Sequence, residues 1–455
     1  MKVGLLPLAR ATFDVPFAEE RFAAMLATLD AAGVETVGEQ ALLFDGGAAT
    51  AAIERLAAEG VDALLVLQVT FTDASTVAQA AERLGTPVRL WAIPEPRAGG
   101  RLRLNSFCGL NLASHALSRR GIAFGALYAD PSDDPDVAGL LAGEWDRKPL
   151  APSEARPSER GHAAVERLVG KRIARLGEHP DGFDTCAYDA SALQDLAGVE
   201  IEEHGIDALF DRARRVEDAS AARADAEHDV DGLEGVDPLQ LDRSLRLRTA
   251  LDAMRKESRF DAFAIRCWPE TFTEYGGAVC GPVSQLGERR TPCACEADVY
   301  GALTQLLLQD VAGAPVFLVD LVDLDPSDDT GVVWHCGQAP ISMASPDHRR
   351  EATIHTNRKQ PLLYEFPLKP GRVTAMRISQ AGDEPRMVIA GGEMLARGKA
   401  FTGTSGVVRF DRGADEMLRF VVDSGLEHHV AIAYGDHRET LRGAAGALGI
   451  GVLEP

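Results

Sequence analysis

Three stretches of the sequence concentrate groups that can hold a cation or move a proton. Cys293-Ala-Cys-Glu296-Ala-Asp298 opens a helix-like segment. Val316-Phe-Leu-Val-Asp320 is an apolar run that ends on a carboxylate. Glu427-His428-His429-Val430-Ala431 is followed by Tyr434-Gly435-Asp436. Two carboxylates and one imidazole make an O,O,N donor set, which suits Mn²⁺ and also Mg²⁺ or Co²⁺. Such an ion can hold two neighbouring oxygens of a ligand and polarise a carbonyl. Flanking carboxylates can then carry a proton between adjacent carbons through an enediol, which is general acid/base chemistry.

Each residue also has an ordinary explanation. Asp320 could cap a helix, and Glu296 could be a first-turn acid favoured by the helix dipole. Adjacent strand residues point to opposite faces, so only one of His428 and His429 is expected to face a given site. His335, in Trp334-His335-Cys336-Gly337, follows a strand-like Gly331–Trp334 and could line the same place. A zinc–thiolate site is disfavoured: Cys293 and Cys295 are spaced C-x-C, and no second cysteine pair lies downstream.

The elements that must position these groups alternate in the first two thirds of the chain. Val3–Leu8, Ala63–Gln68, Val88–Ile93 and Ile122–Tyr128 read as strands, with helical spacing over Ala18–Ala32 and Ser75–Leu84. Continuous apolar strands alternating with helices imply an open, doubly wound parallel sheet. Ligands meet such sheets at the loops after the strands' C-terminal ends. A polar, Pro-containing stretch over 146–163 reads as a connection. A second α/β rhythm follows, with strands at Arg172–Gly177, Gly198–Glu203, Phe260–Cys267 and Pro315–Asp320, and helices at Ala190–Ala197, Leu239–Lys256 and Asp298–Leu308. Beyond about residue 345, short alternating runs punctuated by Gly and Pro suggest an antiparallel β domain, with a last helix at Glu439–Leu448. The expected fold is α/β. Two doubly wound, Rossmann-like domains (1–160 and 161–345, the second carrying metal ligands) precede a barrel-like antiparallel β domain (346–455) that supplies the final His.

The chain has 455 residues and a formal net charge of −22. That length predicts two or three domains. The charge argues against nucleic acid or an anionic membrane as partner, since neutralising phosphates needs excess Lys and Arg. Seven scattered cysteines argue against a secreted disulfide framework. The N-terminal apolar run is too short and interrupted for a signal peptide. A cytoplasmic location is therefore expected.

The three acid and histidine segments, in this order, resemble the L-fucose isomerase family and the related L-arabinose isomerases. The resemblance implies a metal-dependent aldose–ketose isomerase acting through a cis-enediol on a hexose, pentose, deoxy- or sulfo-sugar. It implies Glu296, Asp320 and His429 as metal ligands, with His429 preferred to His428, and Glu296 and Asp320 as the proton-transfer groups. Mn²⁺ is the implied cofactor. His335 is implied as a ligand or substrate contact, and Trp268, Arg10, Thr70 and His428 as further substrate contacts. The family plan also implies a homo-oligomer, trimer or hexamer, in which a neighbour's N-terminal domain completes the sugar site; Arg10 and the loop Gln68–Asp73 would then reach a neighbour's sugar. For a sulfonated sugar a basic pocket is needed, and Arg10, Arg97, Arg101 and Arg103 are candidates. The alternatives are a non-catalytic sugar-binding protein, or a metal-dependent hydrolase or lyase on the same ligands.

Overall fold

Residues 1–382 and 384–455 are described by the structure, a computed structural model. The first sheet is fully parallel. Its strands are β1 (Val3–Leu8), β2 (Thr36–Gly38), β3 (Ala63–Gln68), β4 (Val88–Ala92) and β5 (Phe124–Tyr128), in the order β2-β1-β3-β4-β5. Every residue of β1, β3 and β4 is buried. This accounts for their continuous apolar character: helices cover both faces. A second parallel sheet contains β6 (Arg172–Leu176), β7 (Glu200–His204), β8 (Ala262–Ile265) and β9 (Cys293–Cys295), in the order β7-β6-β8-β9.

The third sheet comprises β10 (Phe317–Asp325), β11 (Thr330–His335), β12 (Glu351–Thr353), β13 (Leu363–Pro367), β14 (Gly371–Ser379), β15 (Arg386–Met394), β16 (Thr404–Phe410), β17 (His429–Tyr434) and β18 (Gly451–Leu453). Six of these close on themselves in the order β16-β11-β10-β17-β14-β15, with β15 pairing back to β16, and every pairing in the ring is antiparallel. The result is a small barrel, which leaves no edge within the ring. Apolar side chains such as Val373, Val408 and Ile432 line its lumen, and Met417, Phe420 and Val421 of the helix Ala414–Asp423 close over it.

The strand expected at Pro315–Asp320 does not join the second parallel sheet. It runs on to Asp325 and pairs antiparallel with β11 and β17 inside the barrel. The apolar run misled because any strand buried on both faces reads alike. One side of β10 faces the barrel, and Cys108 on the helix Ser106–Arg119 donates its thiol to the Leu321 carbonyl at 3.7 Å. That helix is buried along its whole length from Ser106 to Leu117, wedged between the first sheet and the barrel. It buries polar residues such as Asn111, Ser114 and His115 along with its apolar ones, and the sequence reading did not identify it.

Candidate metal centre and sugar cleft

Glu296 follows the C-terminal end of β9, where parallel sheets meet their ligands. It is not a first-turn helix residue. Glu296 and Ala297 both adopt left-handed backbone angles, with φ of 59° and 56°. Two consecutive non-glycine residues in this region are costly and tend to occur where function fixes the geometry. Asp298 is the residue that caps the helix Val299–Ala312, accepting the Gly301 N–H at 2.8 Å.

Asp320 lies in the middle of β10 rather than at its end, beside a register shift between Leu321 and Asp323. Bulges of this kind re-aim side chains next to active sites. Asp320 is in register with His429 on β17 and with Trp334 on β11. The barrel's hydrogen bonding thus delivers Asp320, His335 and His429 to one place.

Only one of His428 and His429 was expected to face the site, yet both reach Glu296. β17 begins at His429, so His428 lies in the preceding turn and escapes strand alternation. His428 Nε2 is 3.0 Å from Glu296 Oε2, and His429 Nε2 is 3.7 Å from the same oxygen. His429 Nε2 also lies 3.4 Å from Asp320 Oδ1. Trp268 Nε1 donates to Glu296 Oε1 at 2.9 Å, so both Glu296 oxygens are anchored.

His429 Nδ1 is 2.9 Å from Asp298 Oδ2. Asp298 in turn pairs with the buried Arg377, whose Nη2 donates to Oδ1 at 3.0 Å. This arrangement puts the ring proton on Nδ1 and turns the Nε2 lone pair toward Glu296 and Asp320. A carboxylate behind a histidine is the usual means of fixing a metal-binding tautomer. His335 is oriented the other way. Its Nδ1 accepts the Cys336 backbone N–H at 2.9 Å and lies 3.3 Å from the Gln338 amide nitrogen. Its proton therefore belongs on Nε2, which makes it a donor toward the cleft. Distance alone would admit His335 as a third ligand beside Asp320 and His429. The occupied Nδ1 argues against it, because a ligand nitrogen needs a free lone pair.

Asp320 Oδ1, His335 Nε2 and His429 Nε2 are all buried and meet no hydrogen-bond partner among the described residues. Such atoms are costly unless something else satisfies them. Two of them, Asp320 Oδ1 and His429 Nε2, are acceptors facing each other, which fits a cation. Electrostatics agree. Burial pushes the Glu296 carboxyl up, but its bond to His428, the charges of His428 and His429, and its bond to Trp268 outweigh this and hold it at about 2. Burial disfavours His429 imidazolium, but the Asp298 bond and the charges of Asp320 and Glu296 raise its pKa nonetheless. The position favours positive charge, whether a proton or a metal ion. Burial brings His335 down to about 4, so it stays neutral. Cys186 also approaches Glu296 and His429. Burial and the charges of Asp298 and Glu296 hold it as a thiol, which is a poor ligand.

Glu296, Asp320, His335 and His428 line a cleft, whereas His429 lies behind it and lines the barrel lumen. The first domain contributes Arg10, Phe71 and Asn105, and the second Trp268 and Glu296. Arg10 thus reaches the cleft of its own chain rather than only a neighbour's. Thr70 does not reach it. It is buried beneath the loop, where its hydroxyl accepts the Arg10 backbone N–H at 2.8 Å. Arg97, Arg101 and Arg103 are likewise committed elsewhere. Arg97 bonds Asp323 at 2.6 Å, while Arg103 and Arg101 lie 2.9 and 3.6 Å from Asp14. Glu270 pairs with Arg266 at 2.7 Å. Arg358, which does line the cleft, went unnoticed in the sequence because a loop arginine reads as solvated surface.

The family model described as the fucose/sulfoquinovose isomerase N-terminal domain matches residues 4–142. Sulfoquinovose isomerase of Clostridium sp. (strain MSTE9) is 30% identical over 458 residues, covering 98% of this chain and 97% of the relative. The enzyme of Alkalicoccus urumqiensis is 30% identical over 399 residues, covering 86% of each chain. The chain belongs to the fucose/sulfoquinovose isomerase family. It is an aldose–ketose isomerase, an intramolecular oxidoreductase. The sulfoquinovose isomerase of Priestia megaterium (strain ATCC 12872 / QMB1551), 29% identical, likewise matches 96% of the isomerase and 95% of its own length. The likeness therefore extends through the second domain and the barrel, which carry the acids and histidines. Among the described residues no helix is long and apolar enough to cross a membrane.

Proposed function

We propose that this protein is a divalent-metal-dependent isomerase that interconverts sulfoquinovose, a hexose with a sulfonate on its sixth carbon, with the corresponding ketose. The observation that carries the metal reading is that His429 Nε2 lies 3.7 Å from Glu296 Oε2 and 3.4 Å from Asp320 Oδ1, with the Asp320 and His429 atoms buried and without a hydrogen-bond partner among the described residues; the two carboxylates approach His429 from separate groupings, so one ion would draw them together. The substrate reading rests on the similarity to sulfoquinovose isomerases along nearly the whole chain.

Glu296, Asp320 and His429 would hold Mn²⁺, with Mg²⁺ or Co²⁺ as substitutes, and the ion would supply Lewis-acid polarisation at the sugar carbonyl. The chain's own groups do the rest. Either Glu296 or Asp320 takes the proton from C2 of the open-chain aldose, leaving a cis-enediol, and returns it to C1. The other carboxyl group moves the hydroxyl proton from O2 to O1, so the net change is a carbonyl shifted by one carbon. His428 and Trp268 grip the two Glu296 oxygens and fix its direction. His335 donates its Nε2 proton to a sugar oxygen. The apolar walls, Phe71 and Trp268 among them, keep bulk water from the enediol.

The test is proton NMR of aldoses and ketoses incubated in D₂O with Mn²⁺-loaded protein. Sulfoquinovose should reach an aldose–ketose equilibrium and gain deuterium at the reacting carbon, and Glu296→Gln should lose both bound metal and turnover. A hydrolase or lyase would instead release fragments. If no sugar interconverts, and Glu296→Gln keeps its metal, the proposal fails.

The family resemblance supports a trimer or hexamer and a cytoplasmic setting as part of the same proposal; light scattering checks the first. The proposed division places 1–160 and the segment from 161 as parallel-sheet domains. In that division the strands β10 and β11, which join the barrel sheet, fall before residue 346.

A further inference from the structure

The loop between β12 and β13 brings one arginine into the cleft without an ion pair among the described residues. Arg358 is half-buried there. Its guanidinium lies over the faces of Trp268 and Phe272, with centroids at 5.1 and 5.4 Å. Among the described residues it meets no carboxylate and no other side-chain acceptor; only its backbone N–H is bonded, to His355 Nδ1 at 3.3 Å. The other cleft arginine, Arg10, sits 5.8 Å from the same Trp268 ring but is tied to Asp73 at 2.7 Å. Two guanidinium groups and one carboxylate leave this end of the cleft with net positive charge, in a chain whose formal charge is −22.

The loop is held in place. His355 Nε2 touches the Cys336 thiol at 3.6 Å, and the Gln360 amide donates to the Phe272 carbonyl at 3.1 Å. Burial and the nearby Arg358 charge bring His355 down to about 3, so it is a neutral anchor. Desolvation lowers the Arg358 pKa as well, and the Arg10 charge adds to it. A half-buried cation without a counter-ion is costly, and an anionic ligand removes the cost. The guanidinium sits over two aromatic rings, and its N–H groups, unpaired among the described residues, can donate to a planar or tetrahedral oxyanion. Trp268 spans the two ends of the site: its Nε1 holds Glu296, while its ring face carries Arg358.

We infer that Arg358 is the specificity-determining residue for the anionic end of the substrate, binding its sulfonate while the acids and His429 work at C1 and C2. This rests on the isomerase reading above. The chemistry recognised is a tetrahedral oxyanion on the terminal carbon, which a sulfonate or a phosphate ester could supply. The sulfonate is favoured because one free guanidinium, with Arg10 partly neutralised, balances a monoanion better than a dianion.

The experiment compares wild type, Arg358→Gln and Arg358→Lys on sulfoquinovose, glucose and glucose 6-phosphate. Arg358→Gln should lower the ratio of kcat/KM for sulfoquinovose to that for glucose by about 10- to 100-fold, as expected for a lost charge-assisted hydrogen bond. The change should fall mainly on KM, metal content should match wild type, and Lys should restore part of the ratio. An unchanged ratio, or an equal fall on both sugars, would overturn the inference while leaving the isomerase standing. Preference for glucose 6-phosphate over sulfoquinovose, with the same Arg358 dependence, would overturn the sulfonate assignment. If wild type converts no sugar, the isomerase reading fails by itself. Calorimetric titration of the same proteins with sulfoquinovose then decides: binding lost in Arg358→Gln supports the assignment, and equal binding overturns it.

Discussion

Asp298 does three things at once. It caps a helix, orients His429 and neutralises Arg377. Burial alone would push its carboxyl up, but the Arg377 charge and the His429 bond hold it well below the ordinary aspartate value of 3.8. Arg377→Met leaves this carboxylate buried without its partner, a change that costs about 3–5 kcal/mol. A depressed carboxyl stabilises the fold above its unfolded pKa and stops doing so as pH falls through the folded one. Denaturation of the metal-free proteins should therefore show the largest gap between wild type and Arg377→Met near neutral pH, shrinking below 3.8. The same variant frees the His429 tautomer, and metal affinity measured by competition with a chelator should fall about 10- to 100-fold. His335 gives a contrasting case. His335→Gln should retain its metal by elemental analysis yet lose about 100-fold in kcat/KM, as for a positioned donor, whereas His429→Gln should lose the metal. Loss of metal in both would make His335 a ligand. Among these residues, strand-end placement drew attention to Glu296 and Asp320 in the sequence, and the family resemblance alone singled out His429 over His428. Arg377 and Arg358 were not legible there, because what distinguishes them is burial and the absence or presence of a partner.

Elements position the site through small irregularities that sequence patterns pass over. The left-handed turn at Glu296 and Ala297 carries no glycine to announce it, and the shift after Leu321 occurs inside a uniformly apolar strand. Loop 95–105 is another instance. The Glu95 carboxylate accepts the backbone N–H groups of Arg103, Leu104 and Asn105 at 2.6, 2.9 and 2.7 Å, folding the loop that brings Leu102 and Asn105 to the cleft. In Glu95→Gln an amide NH₂ must face at least one of these donors. The unsatisfied pair should cost about 1–3 kcal/mol, read as a lower Tm, and should raise KM through the displaced cleft wall. An unchanged Tm would mean that the loop is held by its flanking strands. The longer parallel strands, such as Val3–Leu8 and Ala63–Gln68, were readable from their apolar runs, whereas the three-residue strands Thr36–Gly38 and Cys293–Cys295 and the helix Gly46–Glu59 were not. The helix Ser106–Arg119, buried from Ser106 to Leu117, was likewise not read from the sequence.

At the scale of the whole molecule, the plan of two parallel-sheet domains and a barrel was legible in the shift from helical to alternating patterns, but the point of handover was not. β10 and β11 read as a continuation of the second domain and in fact open the barrel. That handover places the proposed ligands on two bodies: Glu296 follows the second sheet, while Asp320 and His429 belong to barrel strands. An ion at this point would cross-link the two, and it can do so only in the folded chain. Ligand binding to the native state alone stabilises it by about 2.7 kcal/mol when free ligand is 100 times Kd. Mn²⁺ should therefore raise Tm in proportion to the logarithm of its concentration, and EDTA should reverse the gain. Amide exchange should slow together at the turn after β9 and at the start of β17, although the two lie in different sheets. Glu296→Gln should abolish both effects. Protection confined to the barrel would mean that Asp320 and His429 hold the ion without Glu296, leaving that carboxylate free to act as a base.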